Sequence, residues 1–416
     1  MKTPAAVDRI VYDVVVVGAG PVGSNTARLL AERGHQVLLL EEHPEVGIPV
    51  QCAGLVTPRI FDHTPFDIGD LWQNDLHGAV IYSPDGSAVH FETDAIQAQA
   101  MDRARFDQKM AEAAVAAGVE LRVATKAVAA ERDPGGITVT LQHDGKREDI
   151  RTRTVVGADG VRGGVARWFG FPAIAETVSA YEVELDGATL PDGRRIIPMF
   201  AGRGQAPGFF SWIIPVSDVA NGKGRVRAGV AVSPGMNEAA AKAYYERMFE
   251  DPASKDYLAG TSEVYRIIGG IPLGLRERLV DDRVALVGDA AGMAKPTSGG
   301  GIYMGLVASE HLADTLDDGL RRGRLERKHL ARYEKHVRKG IAKELRKGDL
   351  LRRVYKGFTD GDLDKLARYC ARPRVRRVIE RVGDIDYPSR LVVPLTLAEP
   401  RFIGLFLRGL VRGGRA

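Results

Sequence analysis

At 416 residues, with 44% hydrophobic and 27% charged side chains, the chain is long enough for two domains with cores of their own and has an ordinary globular composition. No uninterrupted apolar run approaches the roughly 20 residues that span a bilayer. MKTPAAVDRIVYD enters the first strand without a signal-peptide pattern. The only two cysteines, Cys52 and Cys370, exclude a disulfide framework and a four-cysteine iron–sulfur cluster, and point to a reducing cytoplasm. The net charge of +4 conceals an asymmetry: residues 321–416 hold 27 Lys/Arg against 11 Asp/Glu, which leaves −12 on residues 1–320. Such a basic region reads either as a solvated helical tail or as a surface facing phospholipid head groups or an acidic redox partner. No nucleic-acid motif accompanies the charge.

The organising stretch is Ile10–Leu40 with Glu41 behind it. Val14–Val17 is a β-branched run suited to a strand buried on both faces. It ends in Gly18-x-Gly20-x-x-Gly23, and Pro21–Arg33 then reads as a helix stopped by Gly34. Gly18 permits the tight turn, Gly20 lets the backbone approach a pyrophosphate, and Gly23 lets helix and strand pack closely. The helix N-terminus offers unpaired N–H groups to phosphates. Val37–Leu40 closes on Glu41, 21 residues after Gly20, where a carboxylate accepts hydrogen bonds from an adenosine ribose.

Glu42–Val56 follows as an ordered loop carrying Cys52 between Pro49 and Gly54. Gly78–Ser83 and Ala88–Glu92 form a hairpin around Pro84-Asp85-Gly86. Asp102–Ala117 is an amphipathic helix with Arg103 near its start. Strands are expected at Glu120–Val123, Lys126–Glu131, Ile137–Gln142 and Arg151–Val156, the last leading into Gly157-Ala158-Asp159-Gly160. Short strands appended to a βαβ unit and ending in an Asp-Gly turn suit FAD better than NAD. Tyr181–Asp186, Ile196–Phe200, Phe209–Ile214 and Arg225–Val232 read as antiparallel strands, with a helix over Glu238–Phe249. Val284–Val287 is a second buried strand. It turns sharply at Gly288-Asp289, and Gly299-Gly300-Gly301-Ile302 opens a helix to about Leu316. Asp289 is placed to hold a ribityl or ribose hydroxyl, and the three glycines expose N–H groups to a second electron-rich group. Two such sites about 270 residues apart, on one extended ligand, make a distinctive pair. Beyond Leu325 the chain is helical, ending in PRFIGLFLRGLVRGGRA, either a helix docked on the core or an interfacial membrane helix.

Together GAGPVG with Glu41, GIPVQCAG, the D-R-x-x-F-D of Asp102–Asp107, GADG at 157–160 and VGDAAG…P-x-x-GGGI at 287–302 resemble the geranylgeranyl reductase family of flavoproteins. That family lies within the p-hydroxybenzoate-hydroxylase-like FAD superfamily, and the nearest likeness is to archaeal-type reductases of ether-lipid prenyl chains. The resemblance implies an α/β fold, α+β in part. A Rossmann-like FAD-binding domain (1–77, 100–175, 270–325) carries an inserted antiparallel-sheet substrate domain (78–99, 176–269) and is followed by a basic helical region (326–416). It implies FAD held by Gly18, Gly20, Gly23, the Val22 backbone and Glu41, by Arg103 and Ala127 about the pyrophosphate and adenine, and by Asp159. Cys52, Ala53 and Leu55 would line the flavin, with Asp289, Gly299, Gly300, Gly301 and Ile302 about its ribityl and ring. Cys52 is also the catalytic candidate by its nearness to the flavin; no metal is called for.

The implied reaction is hydride transfer from reduced flavin to isolated C=C bonds of an isoprenoid lipid. Its electrons would come from a low-potential donor, ferredoxin or NAD(P)H, at the cytoplasmic face of the cell membrane. A twenty-carbon chain needs an apolar channel. Phe209, Phe210, Trp212, Ile213 and Ile214 are candidate lining or else sheet core, and alternation puts Phe210, Trp212 and Ile214 on one face. Three positions depart from the family pattern: Gln51 for Arg, Ile214 and Val216 for an aromatic and a lysine, and Gly163 or Gly164 for a serine. The alternative is a flavin monooxygenase or halogenase acting on an apolar or aromatic substrate. Phe210-x-Trp212-x-Ile214-Pro215 approaches the halogenase W-x-W-x-I-P pattern, but no lysine lies between Lys2 and Lys109 to handle hypohalous acid. An electron-transfer-flavoprotein:quinone oxidoreductase lacks its cluster cysteines here, and a non-enzymatic prenyl-lipid carrier is the remaining reading.

Overall fold

A computed structural model describes residues 11–219, 223–236 and 239–414. Its first layer is an eight-stranded sheet centred on Tyr12–Val17, whose side chains are almost all buried. That strand runs parallel to Val37–Leu40 on one side and Lys146–Gly157 on the other, with Val14 opposite both Val37 and Thr154. Val284–Leu286 and Glu120–Arg122 extend the parallel set outward. Strands buried on both faces read as continuous apolar runs, which is why Val14–Val17 and Val37–Leu40 were legible. The helix Pro21–Glu32 packs between the helices Arg103–Ala116 and Ile302–Arg322 over this core. All the parallel strands end at one edge, so Gly18, Glu41, Ala158-Asp159 and Gly288-Asp289 gather there, the edge where open α/β sheets bind ligands.

The strand expected over Arg151–Val156 runs Lys146–Gly157. Its first half is a ladder with Gly136–His143, itself paired to Lys126–Asp133, and alternating polar side chains hide such a solvent-facing hairpin.

A second, seven-stranded sheet follows the order Ser262–Leu273, Glu176–Thr189, Lys223–Val232, Ser211–Val219, Ile196–Phe200, Gly78–Tyr82, Ala88–Glu92. The hairpin around Pro84-Asp85-Gly86 joins this sheet through a parallel pairing of Gly78–Tyr82 with Ile196–Phe200. Ser262–Leu273 had no counterpart among the expected strands; it pairs along most of Glu176–Thr189. The helix expected over 238–249 is Ala241–Arg247; Glu238 lies outside the described residues. A small third sheet joins Leu55–Val56, Ala98–Met101 and Trp72–Leu76.

Residues 327–413 form six α-helices and one short 3-10 helix, and Ile341–Lys356 packs against Arg401–Gly413. That close packing rests on Gly409: a Cβ there would sit 2.5 Å from the Val354 carbonyl. Phe402, edge-on to Tyr369, and Leu405, clustered with Val354 and Phe358, are buried, so the final helix docks on the protein, while Ile403, Leu407, Leu410 and Val411 face outward. Among the described residues no helix is long and apolar enough to cross a membrane.

Candidate active site

The first glycine turn is built by steric exclusion. Gly18 has φ +103°, and a Cβ on it would overlap the Ala158 carbonyl; one on Gly23 would overlap the Gly18 carbonyl. Gly20 differs, because a Cβ there meets no protein atom within 4 Å. Its neighbourhood is open cavity at the N-terminus of a helix that has no side-chain cap. Glu41 stands at the same edge, one oxygen accepting from Ala19 N at 3.3 Å and the other from His43 N and Nδ1 at 3.0 and 2.7 Å. His43 was not among the expected residues; only its position two after Glu41 marked it.

The second glycine cluster meets the first directly. The Val22 side chain lies 3.4 Å from where a Cβ on Gly288 would be and 2.5 Å from one on Gly305, and Asn25 Nδ2 donates to Ser309 Oγ at 2.9 Å. Asp289 opens onto the cavity, and a Cβ on Gly301 would come within 2.8 Å of its Oδ1, so glycine keeps that carboxylate accessible. Desolvation by the cavity walls raises the Asp289 carboxyl above the ordinary range, and Arg103 offsets only part of this. Asp159 spends one oxygen on Val165 N at 2.9 Å, capping the short helix Val165–Trp168. Neither Gly163 nor Gly164 leaves room for a side chain: a Cβ on the first would overlap the Asp159 carboxylate and one on the second the Trp168 ring.

Arg103 is not free to extend: its Nε and Nη2 donate to Asp107 at 2.9 and 2.8 Å, and Cys52 is its other neighbour. Burial lifts Asp107 to about 6 against the pull of Arg103. The Cys52–Leu55 loop is clamped from the second sheet by Arg227, whose Nη1 donates to the Ala53 carbonyl at 2.6 Å and whose Nε donates to Glu184 at 2.9 Å. Gly54 has φ +62°, and a Cβ there would lie 2.6 Å from that guanidinium.

Gly18, Gly20, Glu41, Cys52, Arg103, Asp159 and Asp289 share one cavity of about 1540 Å³, larger than the roughly 300–1,000 Å³ of an ordinary small-molecule site, so it has room for a dinucleotide and a second ligand. Phe210, Trp212 and Ile214 line it, as does Phe209. Ile213 does not: strand alternation sends it to the opposite face, into a core with Tyr181 and Val230. Beyond the aromatics the wall is supplied by the C-terminal helices through Leu363, Leu366, Ile385, Leu391 and Leu395. The basic region is therefore no solvated tail. Lys295 beside the glycine loop bonds Asp386 at 2.6 Å, Asp386 also takes Thr57 and Arg59, and Arg352 bonds Glu176 and Ser233. None of these long-range pairs had a sequence signal.

A polar cofactor fits the glycine end on an observation of the protein itself. Asp159 Oδ1 and Ser298 Oγ are buried without hydrogen-bond partners in the structure, and both line the cavity.

Residues 11–347 match the family described as FAD binding domain. A curated relative, the digeranylgeranylglycerophospholipid reductase of Methanocaldococcus jannaschii, is 31% identical over 363 residues, covering 86% of this chain and 90% of its own. Among solved structures, a geranylgeranyl bacteriochlorophyll reductase-like protein of Thermoplasma acidophilum superposes with a TM-score of 0.84 at 22% identity, over 96% of this chain and 99% of that one. A flavin-dependent brominase superposes at 0.69 and 18% identity, over 94% and 99%, a likeness of fold alone.

Proposed function

This chain belongs to the FAD-binding-domain family and, within it, to the digeranylgeranylglycerophospholipid reductases; on that premise we propose that it saturates isolated C=C bonds of geranylgeranyl chains of membrane ether phospholipids. The observation that carries the reading is a single cavity that is polar and glycine-walled at one end and continues between aromatics and C-terminal helices at the other. Reduced FAD, when bound, supplies a hydride equivalent to one carbon of the double bond.

The protein's part is binding, orientation and dryness. Gly18, Gly20, Val22, Gly23 and Glu41 hold the adenosine and pyrophosphate end, with Arg103, Ala127 and Asp159 around it. Asp289, Gly299, Gly300, Gly301 and Ile302 hold the ribityl and ring, with Cys52, Ala53 and Leu55 across from them. Phe210, Trp212 and Ile214 present an apolar wall to the prenyl chain, whose burial is worth about 0.8 kcal/mol per methylene-sized group. In this reading 1–77, 100–175 and 270–325 serve the cofactor, 78–99 and 176–269 the substrate, and the helical region 326–416 closes the cavity.

The outward face of the last two helices supports a seat on the cytoplasmic surface of the membrane. Val393, Leu397, Leu407 and Val411 are 57 to 71% exposed, among Arg401, Arg408 and Arg412, while Leu391 and Leu395 of the same stretch line the cavity. Electrons would come from ferredoxin or NAD(P)H. The test is anaerobic turnover of the reduced holoenzyme with a polyprenyl lipid. A gain of about two mass units per bond supports the reductase; oxygen insertion would make it a hydroxylase, and no change a carrier.

A further inference from the structure

Adding a hydride to one carbon of a C=C bond leaves the other carbon needing a proton, from a group that is itself protonated, shielded from water and beside the cavity. Most acidic groups on the wall are unsuited. Glu41, Asp107, Asp159 and Asp289 lie at the cofactor end. Asp386 is tied to Lys295, Thr57 and Arg59, which hold it ionised. A thiol is a weaker acid than a carboxyl and a poor proton donor to an alkene, which sets Cys52 aside.

Of the other carboxyls on the wall, Glu42 pairs with Lys126, Glu380 with Arg376 and Asp384 with Arg59 and Arg390, which leaves one held in no ion pair among the described residues. Resting on the reductase reading above, we propose that Glu182 is the acid that protonates the second carbon. Its O–H bond breaks as the new C–H bond forms, the hydride supplies the electron pair at the adjacent carbon, and a saturated CH–CH bond, oxidised flavin and a Glu182 carboxylate result. The carboxylate regains its proton from water after the product leaves.

The geometry favours this role. Glu182 stands in mid-strand, opposite Gly229 and Ile267, is 4% exposed, and lines the cavity with Ala180 two residues before it. Trp212 Nε1 donates to one of its oxygens at 2.7 Å, leaving the other for a proton. Trp212 packs with Ala53 and Leu55 against one apolar cluster and with Ala180, Phe210 and Ile271 against another. Glu182 thus lines the same cavity as the Cys52 loop and the Gly299–Gly301 loop, the two segments assigned to the flavin.

The groups facing Glu182 are Glu184 on its own strand, Arg227 on one neighbouring strand and Tyr265 on the other. Arg227 is committed to Glu184, Gln73 and the carbonyls of Ala53 and Met101, so it does not pair with Glu182. Burial then raises Glu182 to about 7, with Arg227 and Trp212 pulling down and Glu184 pushing up. A large share of the carboxyl is protonated at neutral pH.

The test uses the FAD-loaded holoenzyme, reduced anaerobically and mixed with a polyprenyl lipid in single turnover across pH 5–9. For wild type the rate should be level at low pH and fall about tenfold per unit above about 7. Glu182→Gln should lower the level rate by at least about a hundredfold and abolish the fall, with FAD affinity and visible spectrum unchanged. Trp212→Phe removes a donor that stabilises the carboxylate, so its fall should move to higher pH even where its rate is lower. In infrared spectra of the flavin-loaded protein without lipid, a protonated-carboxyl band should titrate over the same range and vanish in Glu182→Gln. The role is overturned if Glu182→Gln keeps the rate or the fall, if it loses FAD in proportion to activity, or if the band survives. A wild type that binds FAD and leaves the lipid unreduced overturns the reductase reading and this role with it.

Discussion

Replacing Asp386 by Asn leaves the Lys295 ammonium buried beside the glycine loop without its counterion. Lys295 is 6% exposed and Asp386 1%, and Asp386 takes three side-chain hydrogen bonds, from Lys295, Thr57 and Arg59 at 2.6 to 2.7 Å. Breaking one side of such a pair costs about 3–5 kcal/mol. With an unfolding entropy of about 0.9 kcal/mol/K for a chain this long, the melting temperature should fall by about 3–6 °C. Lys295→Met leaves Asp386 with Thr57 and Arg59 and should cost less, and the double variant should lose less than the sum of the two. The pH dependence has a definite sign. Burial alone would raise Asp386, but Lys295, Thr57 and Arg59 outweigh it and hold the carboxyl low. Its contribution is therefore complete above the unfolded value of about 3.9 and is lost as the pH falls through the folded one. Scanning calorimetry of the FAD-free and FAD-loaded proteins at pH 7 and pH 3 measures both effects. Equal melting of Asp386→Asn and wild type at pH 7, or strict additivity in the double variant, would refute the idea that this pair fastens the helical region to the glycine loop.

Gly20→Ala should fold as wild type, since a Cβ there touches no protein, yet bind FAD at least tenfold more weakly (about 1.4 kcal/mol) by fluorescence titration; unchanged affinity removes the pyrophosphate assignment. Cys370, whose thiol burial pushes up to about 12, should alkylate at pH 8 about a thousandfold more slowly than a free cysteine, as followed by mass spectrometry. Leu397→Asp combined with Leu407→Asp should cut co-sedimentation with anionic vesicles at least tenfold, each leucine being worth roughly 1.5–3 kcal/mol when buried, with FAD content unchanged. Equal sedimentation would place the membrane seat elsewhere.

What could be read from the chain alone was whatever local periodicity or fixed spacing encodes. Val14–Val17, the Gly18–Gly23 spacing, Glu41 and the Gly299–Gly301 helix start each express a backbone requirement within a few residues, and they lie at the ligand edge of the first sheet. The two-residue alternation likewise put Phe210, Trp212 and Ile214 on the cavity wall. The same alternation sends Ile213 to the opposite face, where it is sheet core.

Only the tertiary structure decided the rest, because it depends on partners that no spacing ties together. Glu182 is an unremarkable residue in a strand until Trp212 and the cavity wall surround it; its acidity follows from desolvation, which is a property of neighbours. Asp386 and Lys295 are 91 residues apart, and nothing in either segment announces the other. The basic region reads as a charged helical tail by composition. Its apolar stripes close the cavity because the fold brings Leu363, Leu366 and Leu395 against it. A sequence records which faces are apolar, and packing alone settles what each face meets.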